Sequence, residues 1–158
     1  MQVEEMNKNE IQNLEKILVK NYGYSIDFSN FRVFKNKEGK IYLLNKINVN
    51  SQILSRASYL GLYFGKIKRN EKIQLSVEGS QMIGKYANKN IAILDRENAE
   101  RFMEGLNCKW VELINCEVNN FVLIKFGEDF FGSGILRENH IESLIPKGRR
   151  IMKELKKI

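Results

Sequence analysis

FVLIKFGEDFFGSGIL, residues 121–136, reads as two strands and the turn that joins them. FVLIKF and FFGSGIL are rich in β-branched and aromatic residues, and Gly127-Glu128-Asp129 between them has turn chemistry. Gly132 and Gly134 resemble a fragment of a nucleotide-binding loop, but no GxGxxG follows and no helix begins there. Inside a strand, such glycines predict a bulge or a close backbone approach. On either side, WVELI (110–114) and IESLI (141–145) have strand composition, and Pro146, the sole proline, closes the last strand. Upstream, IAIL (91–94) predicts a short buried strand. A helix follows with Ala99, Phe102 and Met103 inward, Asp95 and Glu97 at its start, and Gly105 as its stop. After Pro146, KGRRIMKELKKI (147–158) predicts a terminal helix, with proline just before its start.

The preceding half reads as α+β. Ile11, Leu14, Ile17 and Leu18 recur at helical spacing behind Asn9 as a cap, and Gly23 ends that helix. FRVF (31–34) and IYLL (41–44) flank a turn at Gly39 and predict a hairpin. A helix is expected over 47–60, with Gly61 past its end. LYFGKIK (62–68) and KIQLSV (72–77) predict two more strands joined around Arg69 and Asn70. In the second, Ile73, Leu75 and Val77 alternate with solvated Lys72, Gln74 and Ser76. Met82, Ile83 and Tyr86 predict a short helix before Ala87. Near Asn88 the character changes without a Gly/Ser or Pro linker. The expected units are therefore 1–87 and 88–158, packed rigidly together.

The 158 residues and 43% apolar content are enough for a packed core. No apolar run approaches the ~20 residues of a membrane helix, and the acidic, polar N-terminus differs from a signal peptide. A cytoplasmic protein without a membrane partner is expected. Cys108 and Cys116 lack companion His or Cys residues, so they predict reduced, partly buried thiols on neighbouring strand positions, with no metal site. The net charge of +7 is uneven: residues 1–87 contribute +6, 88–146 contribute −4, and 147–158 contribute +5. An acidic segment between a basic half and a basic tail is the asymmetry of a chain that meets a polyanion on selected faces.

NKNIAILDRENAERFMEG, FVLIKFGEDFFGSGIL and IPKGRRI together resemble a PUA domain, the small RNA-binding barrel of pseudouridine synthases and archaeosine transglycosylases. SYLGLYFGKIKRNEKIQLSVEGSQMIGKYA, with its Leu-Gly-x-x-Phe-Gly-Lys core at Leu60 to Lys66, resembles the segment before the PUA domain in the archaeal-type Nip-seven ribosome-biogenesis family. The Pro-Lys-Gly-Arg-Arg ending is also similar to the PUA extension of Nop-two/Sun RNA methyltransferases. The resemblance implies an α+β fold in which an N-terminal α/β pre-PUA domain packs against a C-terminal PUA β-barrel with a terminal helix. It further implies an RNA-binding adaptor in rRNA processing for the large ribosomal subunit, with ribosome-assembly or RNA-processing proteins contacting the N-terminal domain. The alternative is an RNA-binding accessory subunit of a methyltransferase-type enzyme supplied by another chain.

Two patches are candidate RNA contacts. As a helix, the tail has an apolar stripe of Ile151, Leu155 and Ile158, with Arg149, Arg150, Lys153, Lys156 and Lys157 on the opposite side and Lys147 just before. A solvated, solubilising tail is the plainer alternative. The second patch is Lys66, Lys68 and Arg69, for which a solvated strand face is the simpler reading. Tyr63 and Phe64 read as core residues first and as base-stacking platforms second. His140 stands alone and reads as a surface or turn histidine. With no glycine loop for a nucleotide, no CxxC and no His-bearing triad, no catalytic residue and no cofactor are expected.

Overall fold

The computed structural model describes residues 2–46 and 61–150. Its first sheet is an antiparallel meander of β1 (Glu4–Glu5), β2 (Phe31–Lys35), β3 (Lys40–Asn45), β4 (Leu62–Lys68) and β5 (Lys72–Leu75), paired in that order. The second sheet contains β6 (Ile91–Ile93), β7 (Glu112–Ile114), β8 (Phe121–Phe126), β9 (Asp129–Leu136) and β10 (Ile141–Ser143), ordered β10-β9-β8-β6-β7. Among the described strands only the β6–β8 pair is parallel. Among the described residues three α-helices accompany them: α1 (Lys8–Tyr22), α2 (Val77–Gly84) and α3 (Arg96–Met103). The helix expected over 47–60 lies outside the described residues.

α1 starts earlier than its apolar pattern suggests. Asn7, not Asn9, is the cap: its side chain accepts from Glu10 N at 2.9 Å, and the Glu10 carboxylate accepts from Asn7 N at 3.1 Å. This reciprocal box satisfies two otherwise orphaned donors, so it outcompetes the later asparagine. The helix buries Leu14, Ile17, Leu18 and Tyr22 and ends at Gly23, which is left-handed at φ 77°. The Tyr22 hydroxyl donates to Ile73 O at 2.6 Å, and full burial pushes its pKa well above the ordinary phenol value.

α2 joins the two sheets. The expected strand 72–77 stops at Leu75 because the Ser76 side chain accepts from Gly79 N at 2.9 Å and caps a helix that begins at Val77. Two glycines let α2 sit close on both sides. A Cβ at Gly79 would lie 2.1 Å from Phe64 O, and one at Gly84 would lie 2.5 Å from the Phe130 ring. Ser80 Oγ accepts from Gly132 N at 2.8 Å, while Ser133 Oγ donates to Leu75 O at 2.8 Å. The larger core cluster accordingly includes Phe64, Ile73 and Ile83 together with Ile91, Leu123 and Phe130. A smaller cluster of Ala92, Phe102, Val122, Ile124 and Ile141, among others, fills the space between α3 and the second sheet.

The second sheet rolls without closing into the expected barrel. Among the described residues no ladder joins its edge strands β10 and β7; β10 makes one isolated bridge, Ile141 to Cys108, in the segment between α3 and β7. The glycine reading of β9 holds. Leu123 faces Ser133 while Lys125 faces Phe130, so β9 carries an extra residue at Phe131–Gly132, where Gly132 has φ 103°. A Cβ at Gly134 would lie 2.5 Å from the Ile141 side chain. β7 is shorter than WVELI, since only Glu112–Ile114 pair as a strand. The cysteines are free but do not occupy neighbouring strand positions: Cys108 sits in the isolated bridge, and Cys116 follows β7. Burial pushes both thiols up to about 11.

The tail also departs from expectation. Lys147–Arg149 form one turn of 3-10 helix, and Arg150 is extended at φ −71°, ψ 142°. A continuous helix from Lys147 is thus broken at Arg150.

Candidate nucleic-acid interface

The β4–β5 hairpin positions its charges through register. β4 carries an extra residue, Phe64, since Ile41 faces Gly65 while Tyr42 faces Tyr63. The bulge turns Phe64 fully into the core and leaves Tyr63 and Lys66 on the outer face. Directly opposite residues of an antiparallel pair share a face. Lys66 therefore stands beside Lys40 and Gln74, and Lys68 beside Lys72. Burial, and then the Lys66 charge, lower the Lys68 pKa. Like charges directly opposite are destabilising, on a scale of roughly 0.2–1 kcal/mol per pair. Among the described residues, none of Lys66, Lys68, Arg69 and Lys72 forms an ion pair.

The hairpin's turn is pinned from below. Asn70 and Glu71 both have positive φ, 62° and 57°, a conformation that is uncommon for glutamate. Asn21 Nδ2 donates to Glu71 O at 2.8 Å, and Lys20 pairs with the Glu71 carboxylate at 2.7 Å. These contacts hold Arg69 at the tip and keep Glu71 occupied, away from the lysines.

Three depressions follow one another beside this hairpin. The widest, 550 Å³, has Lys68, Arg69, Lys72 and Gln74 on one wall and Asn119, Phe121, Arg137 and Leu144 on the other. A waist of 40 Å³ shares Gln74 and Leu144 with it and adds Tyr63 and Pro146. The third, 370 Å³, shares Tyr63, Ser76, Val77 and Pro146 with the waist and reaches Glu78 and Arg149. The shared linings make one furrow from the hairpin tip to the C-terminal segment. Tyr63 lies against Tyr42, ring centroids 5.5 Å apart. Burial, with Tyr42 and Glu38 nearby, pushes the Tyr63 phenol up to about 12 and keeps it a neutral hydroxyl.

Arg137 is fixed in the far wall. It forks onto Glu142 at 3.1 and 3.3 Å and donates to Asn119 Oδ1 at 2.9 Å. The Arg137 hydrogen bond holds the Glu142 carboxyl below its ordinary pKa.

The structure divides the predicted residues. Lys68 and Arg69 line the furrow, and Lys66 stands on the same face beside it. Arg149 does not project freely: it pairs with Glu78 in the first turn of α2. Burial of Glu78 disfavours its charge, yet the Arg149 hydrogen bond, a backbone N–H and the Arg149 charge together lower its pKa. The Arg150 side chain lies over Gly105, where a Cβ would come 2.4 Å from its Nε, and that Nε is buried without a hydrogen-bond partner. Lys147 is exposed in the one-turn helix. Lys153, Lys156 and Lys157 lie outside the described residues. Lys72, Gln74, Asn119 and Arg137 were not singled out as site residues from the sequence. Lys72 and Gln74 were signalled there only as solvated positions, by the alternation of KIQL.

The fold resembles that of a solved PUA domain. A solved PUA domain from Aeropyrum pernix K1, determined as a tartrate complex, matches with a TM-score of 0.59 and 11% identity, covering 93% of this chain and 86% of that one. At that identity the likeness establishes the fold, and it spans both sheets. No protein-family model and no curated protein sequence matches the chain. Among the described residues, no helix is long and apolar enough to cross a membrane, and no group of His, Cys, Asp or Glu could hold a metal ion.

Proposed function

We propose that this protein binds RNA and acts as an adaptor in ribosome biogenesis, holding a stretch of large-subunit rRNA precursor while other proteins act on it. The observation that carries the reading is the set of uncommitted cations on the β4–β5 hairpin. Lys66, Lys68 and Lys72 stand together on one face with Arg69 at its tip, and like charges are opposed across the strands. A face built only for solubility gains nothing from that opposition, whereas a phosphate backbone relieves it. The PUA-type fold and the basic C-terminal segment support the same reading. The protein acts by holding its ligand, not by catalysis. The division at residues 87 and 88 leaves the N-terminal unit, with α1, to meet a protein partner in assembly.

RNA affinity measured across a salt series tests this. Three or four phosphate contacts give a log–log slope of about −2 to −3 on single strands. The slope should shrink by roughly 2 when Lys68, Arg69 and Lys72 are changed to alanine. An unchanged slope in that variant would remove the hairpin from the site. Absence of binding at low salt would remove RNA altogether.

A further inference from the structure

From the furrow's geometry we infer that its ligand is an unpaired RNA strand, with a base against the Tyr63–Gln74 floor and phosphates along Lys68, Arg69 and Lys72. The inference rests on the RNA-binding reading and names which form of RNA the site takes. Three features carry it. The recess at the furrow's centre is the smallest of the three, an opening of 40 Å³ lined by Tyr63, Gln74, Leu144 and Pro146 among others. That opening suits the edge of one flat ring and excludes a duplex, whose bases are already paired and turned inward. The groups at the waist are those that bind bases rather than phosphates. Tyr63 offers a neutral hydroxyl on a ring braced by Tyr42, and Gln74 offers an amide with both donor and acceptor sides. Among the described residues neither the Tyr63 hydroxyl nor the Gln74 amide is committed to a hydrogen bond, although both side chains are partly buried.

The cations, by contrast, do not sit at the waist. Lys68, Arg69 and Lys72 line the wide end, opposite Phe121 and Asn119. Aromatic and amide groups in the narrow part, followed by a cationic wall, are the arrangement by which proteins track a single strand. Bases stack and hydrogen-bond in the groove while the backbone follows the charges. The opposite wall contributes Arg137, whose charge Glu142 already balances, so the attraction is one-sided and the backbone runs along the hairpin.

The test uses the full chain and a mixed-sequence RNA of about eight nucleotides, within the usual length for a single-strand groove. The strand is presented free and annealed to its complement at one salt concentration. Free RNA is expected to bind at least about tenfold tighter than duplex. Tyr63→Leu should lose about five- to a hundredfold in single-strand affinity, the scale of one lost base stack. Its salt slope should not change, and Tyr63→Phe should restore most of the loss. Gln74→Ala, on a partly exposed strand position, provides a second probe, with an expected severalfold loss and an unchanged unfolding midpoint. Duplex binding as tight as single-strand binding would overturn the inference while leaving the RNA reading in place. So would normal affinity in both Tyr63→Leu and Gln74→Ala. Failure of either RNA form to bind, even at low salt, would overturn the RNA reading itself.

Discussion

The β4–β5 hairpin and the stretch from Lys147 to Arg150 have similar charge in the sequence and use it differently in the fold. On the hairpin, cross-strand register sets lysine against lysine, and the carboxylate of the turn, Glu71, is held by Lys20. In the C-terminal stretch, Arg149 is paired with Glu78 and Arg150 lies over Gly105 with a buried Nε, so only Lys147 remains exposed and unpaired there. Formal charge along a sequence therefore differs from charge available to a ligand. The difference is made by tertiary contacts: Arg149 and Glu78 are 71 positions apart in the chain.

The strongest way to break this comparison is to neutralise each region in turn. Lys68→Ala/Arg69→Ala/Lys72→Ala should weaken RNA binding by about ten- to a hundredfold at moderate salt. Lys147→Ala/Arg149→Ala/Arg150→Ala should cost no more than a few-fold, because Arg149 is paired with Glu78 and Arg150 is partly buried over Gly105. Titration of both variants by fluorescence anisotropy decides the matter. A reversed order would mean that the RNA displaces Glu78 and recruits the C-terminal arginines.

The furrow's walls belong to different sheets, so its shape depends on how α2 wedges between them. Gly84→Val places a side chain where Phe130 already sits, 2.5 Å from the site of the new Cβ. Overpacking of this kind costs typically about 1–3 kcal/mol. Urea unfolding should show that loss. At denaturant-free concentrations the hairpin cations remain in place, so the salt slope should persist while the single-strand preference falls. A stability unchanged within error would mean that the sheets can shift apart freely, and the furrow would not be a fixed feature.

Much of this was legible in the sequence, and the parts that were not have particular causes. LYFGKIK predicts β4 residue for residue, Gly23 ends α1 as expected, and the β8–β9 hairpin turns where Gly127 indicates. Alternation in KIQL placed Lys72 outward. Ser76 was misread as a strand residue because its capping role depends on Gly79 N, which only a helical turn brings near. The Phe64 bulge was hidden because an extra residue in a strand leaves no mark on composition. Asn119, Phe121 and Arg137 come from the other sheet, so no local spacing announces that they face the hairpin. The terminal helix was started too early, because its pattern ignored the contact of Arg150 with Gly105; residues 151–158 lie outside the described residues.

A smaller effect sharpens the comparison from the C-terminal side. Glu78→Gln removes the carboxylate that occupies Arg149 and should raise RNA affinity by about two- to fivefold. The stability cost should stay within about 1 kcal/mol, since the two side chains are 49% and 34% exposed and solvent screens the pair. The pair also has a pH signature. Glu78 has a folded pKa below its unfolded one, so its contribution is complete above the ordinary carboxylate value of about 4.3. It is lost as pH falls through the depressed folded value. In Glu78→Gln, stability should fall less steeply across that acid window than in the parent, and RNA affinity should lose any gain on acidification that comes from releasing Arg149.

The least effect concerns the protons of the hairpin itself. Lys68 has a folded pKa below its unfolded value, first through burial and then through Lys66. The native state thus releases this proton before the unfolded state does as pH rises. Stability from this site is lowest below the folded pKa and recovers as pH climbs to the unfolded value of about 10.4. Lys66→Ala removes only the second cause, so Lys68 should titrate higher than in the parent but still below a free lysine. A bound phosphate backbone opposes both causes by favouring the charged form, and should move the Lys68 titration upward by more than Lys66→Ala does. Side-chain NMR of Lys68 with and without RNA measures both shifts. A downward movement on binding would place the phosphates elsewhere and detach the hairpin from the furrow's function.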